Sequence, residues 1–265
     1  MNNFIWYNPT RILFGRGTHN EVGRETAAYS RRILLLYGGE SLKAAGTYGA
    51  ITKSLTEAGV EYRELGGVRP NPRLSLVRQG ISLCRREGLD FVLAAGGGSV
   101  IDTAKAIAAG VLYPGDVWDF YHTEKRPEGV LPTGVVLTIP AAGSESSDGS
   151  VITREEENEK KSICSPLLYP KFAILYPELC YTLPKRQIAA GSADILAHVM
   201  ERYFSPNGNT ELSDRLCEAA MKTIIHNAPL ALADPDRYEV WAELMWAGNV
   251  AHNGLLGKGR EEDWA

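Results

Sequence analysis

The sequence predicts an α/β domain built on a parallel sheet and, from about residue 181, an all-α domain. Three observations carry that prediction. Short apolar runs alternate with stretches of helical spacing between residues 32 and 110, the pattern of strand–helix units whose right-handed crossovers lay strands parallel. The run Phe91-Val92-Leu93-Ala94-Ala95 passes straight into Gly96-Gly97-Gly98-Ser99 and then into a helix. Beyond Tyr181-Thr182-Leu183-Pro184 the strand-like runs stop and only helical spacing is left.

Residues 4–14, interrupted by Asn8-Pro9, read as an extended pair leading to Gly15-Arg16-Gly17, with a helix over 18–28. Residues 32–37 form a buried strand stopped by Gly38-Gly39, and 41–57 have helical spacing ended by Gly59. A strand over 61–65, a stiff loop through Pro70-Asn71-Pro72 and a helix over 74–87 come next. Residues 111–129, with Trp118, Phe120 and Tyr121 among turn residues, read as an irregular lid or wall. Another buried strand, 134–140, runs into a loop of small and hydroxyl residues at 141–148, where open α/β sheets meet their ligands. Residues 151–153 and 172–176 complete the sheet region. Helices are expected over 184–204, 210–233 and 236–256, with Pro184 suited to a first helical turn. The domains are therefore set at 1–180 and 181–265.

The glycine-rich turn is the centre of the pattern. Glycine lets the chain turn at φ values that a side chain resists, and without Cβ atoms a ligand can approach the backbone. Ser99 can cap the following helix, Asp102 suits a weak capping box, and Gly110 suits its end. Unpaired amides at the positive end of a helix dipole make a seat for a pyrophosphate. The same residues also suit a tight turn that binds nothing, and they depart from the Gly-x-Gly-x-x-Gly pattern.

Composition limits the alternatives. The 265 residues are 44% hydrophobic, and 28 basic against 32 acidic residues give a formal charge of -4 with no long run of one sign. No electrostatic surface for nucleic acid or acidic lipid is declared. The run from Arg154 to Lys161 reads as a solvated turn. Cys84, Cys164, Cys180 and Cys217 are far apart, which argues against a zinc ribbon or a disulfide framework and suits a reducing cytoplasm. The N-terminus lacks an export pattern, and no run is long enough to span a bilayer.

Asp194 and His198 lie four residues apart on the first helix of the second domain and so project from one face. A carboxylate and an imidazole suit Fe²⁺ or Zn²⁺; they also suit a solvated ion pair, and a metal site needs three or four ligands. His19, His122, His226 and His252 show no spacing that supplies the rest. Lys105 and Lys160 are candidates to counter phosphate charge, and Thr138 and Ser147 to donate to a ribose or a nicotinamide amide.

Taken together, these pieces resemble the iron-containing (group III) alcohol dehydrogenases, and among them the NADPH-dependent butanol dehydrogenase-like branch. The resemblance runs through Phe14-Gly15-Arg16-Gly17, Tyr37-Gly38-Gly39-Glu40-Ser41, Pro70-Asn71-Pro72 and the segment Gly96 to Lys105. It continues through Leu137-Thr138-Ile139-Pro140-Ala141-Ala142-Gly143-Ser144-Glu145 and Tyr181-Thr182-Leu183-Pro184 to Asn253-Gly254 and Asp263-Trp264-Ala265. It implies a Rossmann-like parallel sheet and a dehydroquinate synthase-like all-α domain. It implies a dinucleotide held by Gly38, Gly39, Ser41 and Asn71, by Gly97, Gly98, Ser99 and Asp102, and by Thr138, Ser147, Lys160 and Leu179. Asp194 and His198 then stand as the first two metal ligands and as the catalytic residues, with Fe²⁺, or alternatively Zn²⁺, as Lewis acid. The implied reaction is reversible hydride transfer between NADP(H) and a primary alcohol or aldehyde, in a cytoplasmic homodimer if the domain is complete.

The cofactor choice has a physical basis. NAD-preferring relatives place an Asp after this strand, which would repel a 2′-phosphate; here Gly38-Gly39 stand there, with Ser41 and Lys43 as donors and Glu40 as an opposing charge. The expectation is NADPH, with NADH the other possibility. Three departures are visible: Tyr176-Pro177 replaces the family's Asp-Pro, Asp148-Gly149 alters a loop, and the sequence stops at Ala265, before the family's last two histidine ligands. The all-α domain is therefore expected to be incomplete. The competing expectation is a nucleotide-binding fragment without metal chemistry, and a third is a sister family such as glycerol dehydrogenase or dehydroquinate synthase.

Overall fold

The computed structural model describes residues 1–206 and 208–261. Asn207, in the expected 205–208 loop, and Asp263-Trp264-Ala265 of the family resemblance lie outside the described residues. The chain divides into two compact units that interleave along the sequence: Pro9–Thr138 with Asp148–Tyr176, and Met1–Asn8 with Ile139–Ser147 and the chain from Pro177 on. The expectation drawn from composition was one cut near 180. A change in composition marks where helices begin, whereas the compact units also take up two short segments from earlier in the chain.

The first unit runs β1 (Arg11–Phe14), α1 (Val22–Ala27), β2 (Arg32–Tyr37), α2 (Ser41–Ala44), α3 (Thr47–Glu57), β3 (Glu61–Leu65) and α4 (Leu74–Glu87). It continues with β4 (Phe91–Gly96), α5 (Gly98–Leu112), α6 (Asp119–His122), β5 (Thr133–Leu137), β6 (Gly149–Arg154), β7 (Glu159–Cys164) and β8 (Phe172–Leu175). Among the described residues six strands pair in parallel in the order β1-β8-β5-β4-β2-β3. The strands β4, β5 and β8 are buried along their whole length, as a parallel sheet covered on both faces requires. The chain goes outward from β2 to β3, returns to place β4 on the other side of β2, and then moves away from it. The sheet therefore reverses direction between β2 and β4.

Helices α4 and α5 lock by reciprocal insertion. A Cβ at Gly80 would lie 2.3 Å from Ile107 Cδ1, and one at Gly110 would lie 2.2 Å from Ile81 Cδ1. Each glycine is the hole for an isoleucine of the other helix. Gly110 was expected to end α5, yet the helix continues to Leu112 because Gly110 serves packing.

Other expectations need correction. Residues 4–10 are not strand, and the expected 41–57 helix breaks at Gly46, whose φ of 75° lies in the left-handed region. Residues 151–153 do not join the main sheet; they belong to β6, which pairs with β7 in an antiparallel hairpin and, at Thr153, makes an isolated parallel bridge to Arg73. The charged 154–161 stretch is the turn and return strand of that hairpin, in which hydrophobic alternation is too weak to announce a strand. Trp118, Phe120 and Tyr121 are all buried, so this part of 111–129 is wall and not lid.

The second unit is helical: α7 (Lys185–Tyr203), α8 (Glu211–Ala233) and α9 (Tyr238–His252). Pro184 is the residue before α7, not part of its first turn. A Cβ at Gly191 of α7 would lie 2.8 Å from the Pro140 carbonyl, so that helix passes directly over the 139–147 loop. Ser144, Glu145, Ser146 and Ser147 of the loop are buried, and Asn249 of α9 fastens it by donating to Glu145 Oε1 at 3.0 Å and Ser146 Oγ at 2.8 Å. No helix among the described residues is long and apolar enough to cross a membrane.

Candidate functional site

The carboxyl ends of β2, β4 and β5 lie side by side at the reversal of the sheet, the place where open α/β proteins bind ligands. Tyr37 pairs with Ala95 and Gly96 with Leu137. Gly38, the Gly97-Gly98-Ser99 turn and Thr138 are thereby neighbours, and the Thr138 amide donates to the Gly96 carbonyl at 3.2 Å. Val100 forms the floor of the turn: a Cβ at Gly96 would lie 2.4 Å from its Cγ2, and one at Gly38 4.0 Å from the same atom. Gly39 has nothing within 4 Å of where its Cβ would be.

Gly97, in extended conformation, precedes α5, and its carbonyl accepts from the amides of Val100 at 2.9 Å and Ile101 at 3.2 Å. The amides of Gly98 and Ser99 stand ahead of that first intrahelical bond. Gly97, Gly98 and Ser99 are half-buried, so this backbone is reachable. The expected Ser99 cap is not formed: Ser99 lies inside the helix, where its carbonyl accepts from Thr103 Oγ1, and no side chain caps α5. The Asp102 capping box is absent for the same reason. Asp102 Oδ2 instead accepts from the Val151 amide at 3.2 Å.

Around the end of β2, Lys43 Nζ lies 5.4 Å from the ring centres of both Tyr37 and Tyr48 and 3.8 Å from Glu40 Oε1. The Tyr37 hydroxyl contact and the Glu40 charge hold the exposed Lys43 amine above its usual pKa. Both tyrosine hydroxyls donate to Glu64. Ser41 begins α2 and is exposed. On the other side, Asn71 has a φ of 55° between two prolines, and its Oδ1 accepts from Lys160 Nζ at 3.1 Å.

Asp194 and His198 share one face of α7, with Oδ1 and Nε2 3.8 Å apart. His198 Nδ1 is 4.0 Å from Glu201 Oε2, and its ring centre lies 4.8 Å from that of His252, which Arg202 contacts at 3.2 Å. Burial pulls the His198 pKa below its usual value; Asp194 opposes this and Arg202 adds to it. The neutral imidazole favoured there is the form that ligates a metal. Among the described residues no group of three or more His, Cys, Asp or Glu side chains stands ready to hold an ion. The pair thus offers two suitable donors of the three or four that a closed site needs. Ser147 and Leu179 belong to this helical unit, Ser147 buried and Leu179 half-buried.

Thiol chemistry finds no activated group. Burial pushes Cys84 up to about 12 and also raises Cys164, Cys180 and Cys217. Sequence reasoning missed the roles of Tyr121 and Ser150, which bond to each other beside α5; a lone Tyr and Ser carry no spacing signal. Tyr176, at the family's Asp position, stacks on His19 with ring centres 4.6 Å apart.

The doubly wound sheet, its glycine-opened helix at the reversal point and a helical unit with a carboxylate–imidazole pair define the class of protein. The iron-containing alcohol dehydrogenase family matches residues 9–177, and the C-terminal part of the Fe-containing alcohol dehydrogenase family matches 188–259. This chain belongs to the iron-containing alcohol dehydrogenase family. It is 44% identical over 265 residues to the probable NADH-dependent butanol dehydrogenase 1 of Bacillus subtilis, and 40% identical over 268 to the NADPH-dependent aldehyde reductase YqhD of Escherichia coli. In each case all of this chain is covered and 68% of the relative. The crystal structure of NADH-dependent butanol dehydrogenase A from Thermotoga maritima superposes with a TM-score of 0.97 at 41% identity, over 99% of this chain and 66% of that one. The chain thus spans about two thirds of the length of these relatives.

Proposed function

We propose that the protein transfers a hydride reversibly between NADP(H) and a primary alcohol or the matching aldehyde, the activities for which its butanol dehydrogenase and aldehyde reductase relatives are named. The observation that carries this reading is the accessible start of α5 at the reversal of the sheet. There the Gly98 and Ser99 amides and the helix dipole offer a pyrophosphate positive charge that needs no side chain. Gly38, Gly39 and Thr138 complete the cradle from the adjoining strand ends, and Lys160 and Asn71 add an amine and a carboxamide from the flank.

The preference for NADPH rests on Lys43 and Ser41 beside an uncrowded Gly39. A 2′-phosphate attracts that amine and accepts from the hydroxyl, with Glu40 as the opposing charge. The named relatives include NADH- and NADPH-dependent enzymes, so this choice belongs to the side chains of this loop. Asp194 and His198 are proposed as two ligands of Fe²⁺ or Zn²⁺. Such an ion supplies Lewis acidity, stabilising an alkoxide or polarising an aldehyde carbonyl. Burial disfavours the charged form of His198, which makes the lone pair of its imidazole easier to present.

Fluorescence titration of the 265-residue chain tests the cofactor reading. NADPH is expected to bind more tightly than NADH, and Lys43→Met to remove the difference by weakening NADPH alone. Equal affinity of the wild-type chain for both would defeat the preference, and binding of neither would defeat the dinucleotide reading itself.

A further inference from the structure

The hairpin of β6 and β7 lies outside the main sheet, and one edge of β6 faces away from its partner. Pairing of Ser150 with Ile163 and Ile152 with Lys161 leaves Gly149, Val151 and Thr153 turning their main-chain groups outward. An outward edge needs partners or a cover, and here each of the three residues has a partner. The Gly149 carbonyl accepts from Lys105 Nζ at 2.9 Å, and the Val151 amide donates to Asp102 Oδ2 at 3.2 Å. The Thr153 amide donates to the Pro72 carbonyl at 2.8 Å. Ser150, fully buried, donates to the Asp102 carbonyl at 2.9 Å, which leaves its oxygen to accept from the Tyr121 hydroxyl at 2.7 Å.

Asp102 and Lys105 are three residues apart, so both reach the hairpin from one face of α5. One supplies an acceptor and the other a donor, as a neighbouring strand would. Lys105 is fully buried; an ammonium there is not placed to meet a solvated ligand. Ionised Asp102 accepts only, and so does a phosphate oxygen, so the carboxylate has no hydrogen bond to offer a pyrophosphate. The far end of the hairpin carries Lys160 opposite Thr153, and the Pro72 carbonyl that holds Thr153 adjoins Asn71, the acceptor of Lys160.

We propose that Asp102 and Lys105 are positioning residues: they fix the register of the β6–β7 hairpin against α5. In doing so they set the Lys160 amine and the Asn71 carboxamide at a fixed offset from the Gly97–Ser99 backbone. A slip of one residue would turn Lys160 to the opposite face of the hairpin. The functional consequence rests on the dinucleotide reading above; the register itself does not.

Hydrogen–deuterium exchange on the chain without cofactor tests the register. Asp102→Ala and Lys105→Met are expected to raise uptake over 149–154 and 159–164 while 32–37 and 91–96 keep their protection. Asp102→Asn, which retains an acceptor oxygen, is expected to restore the hairpin. Unchanged uptake in both deletion variants, or failure of Asn to rescue, overturns the proposal. The consequence is read by NADPH titration of Lys105→Met, Lys160→Ala and the double variant. Each single variant is expected to weaken binding about tenfold, the scale of one charged hydrogen bond, and the double variant hardly more than Lys160→Ala alone. Multiplying losses would mean that Lys105 acts by general stability and would overturn the positioning role. Wild-type affinity in Lys160→Ala would refute the assignment of Lys160 to the dinucleotide while leaving the exchange result to decide the register.

Discussion

Asn71 illustrates what a single residue type reveals and conceals. Between two prolines it reads from sequence as a stiff turn, and the structure gives it a φ of 55°, a region that side chains other than Asn and Asp enter at a cost of about 1–2 kcal/mol. The loop therefore uses both the backbone tolerance of Asn and its carboxamide, which accepts from Lys160. The two uses separate by substitution. Asn71→Gly keeps the backbone and loses the acceptor; Asn71→Ala loses both. In urea denaturation the alanine variant is expected to be less stable than the glycine variant by about 1 kcal/mol, while NADPH titration shows similar losses in both. Equal stabilities would refute the backbone argument. Ser99 and Asp102 show the opposite case. Their spacing suggested caps, but a capping hydroxyl must precede the first helical residue, and α5 begins one residue before Ser99. The carboxylate of Asp102 serves a strand more than forty residues away, a contact that no local pattern encodes.

At the scale of elements, β2, α4 and β4 were legible because an apolar run or a 3.6-residue period bounded by glycine or proline states its own limits. The β6–β7 hairpin was not, because its strands are polar and charged and lack a clean hydrophobic alternation. Its turn nonetheless has a task. Glu155 accepts from Ser75 Oγ at 2.5 Å and from the Ser75 amide at 3.4 Å, placing a carboxylate at the start of α4, where the helix dipole favours negative charge. Partial burial pushes the Glu155 pKa up, but the Ser75 bonds, a backbone bond and the Arg73 charge outweigh it, and the net shift is downward. A carboxyl whose pKa falls on folding stabilises the folded chain above its unfolded pKa, and that contribution is lost as pH falls through the folded value. Wild type is therefore expected to melt above Glu155→Gln at pH 6 to 7, with the gap closing as pH drops below about 4.3. A gap that stays constant with pH would show that the carboxylate charge is irrelevant there.

Across the whole molecule, the order of the main-sheet strands and of the long helices was readable from sequence, whereas the way the chain shares itself between two units was not. The segments Met1–Asn8 and Ile139–Ser147 belong with the helices after Pro177, through contacts such as Asn8 Nδ2 to the carbonyls of Ser146 at 2.8 Å and Asn253 at 3.1 Å. These partners are 138 and 245 residues away, beyond any periodicity. The division has a chemical corollary: the glycine-opened helix and the Asp194–His198 pair are built from different units. Each uses groups fixed by its own neighbours, so dinucleotide affinity should not depend on metal. The 265-residue chain is expected to bind NADPH with the same Kd in excess chelator as in Fe²⁺ or Zn²⁺. Asp194→Ala with His198→Ala should leave that Kd within about twofold while lowering the metal retained in equilibrium dialysis. Calorimetry gives an independent reading, since ligand at about a hundred times its Kd stabilises the state that binds it by about 2.7 kcal/mol. That stabilisation should be the same in the double variant and the wild type, because each site is built from residues of its own unit. Loss of NADPH binding on chelation, or on removal of the pair, would show instead that the helical unit shapes the dinucleotide seat.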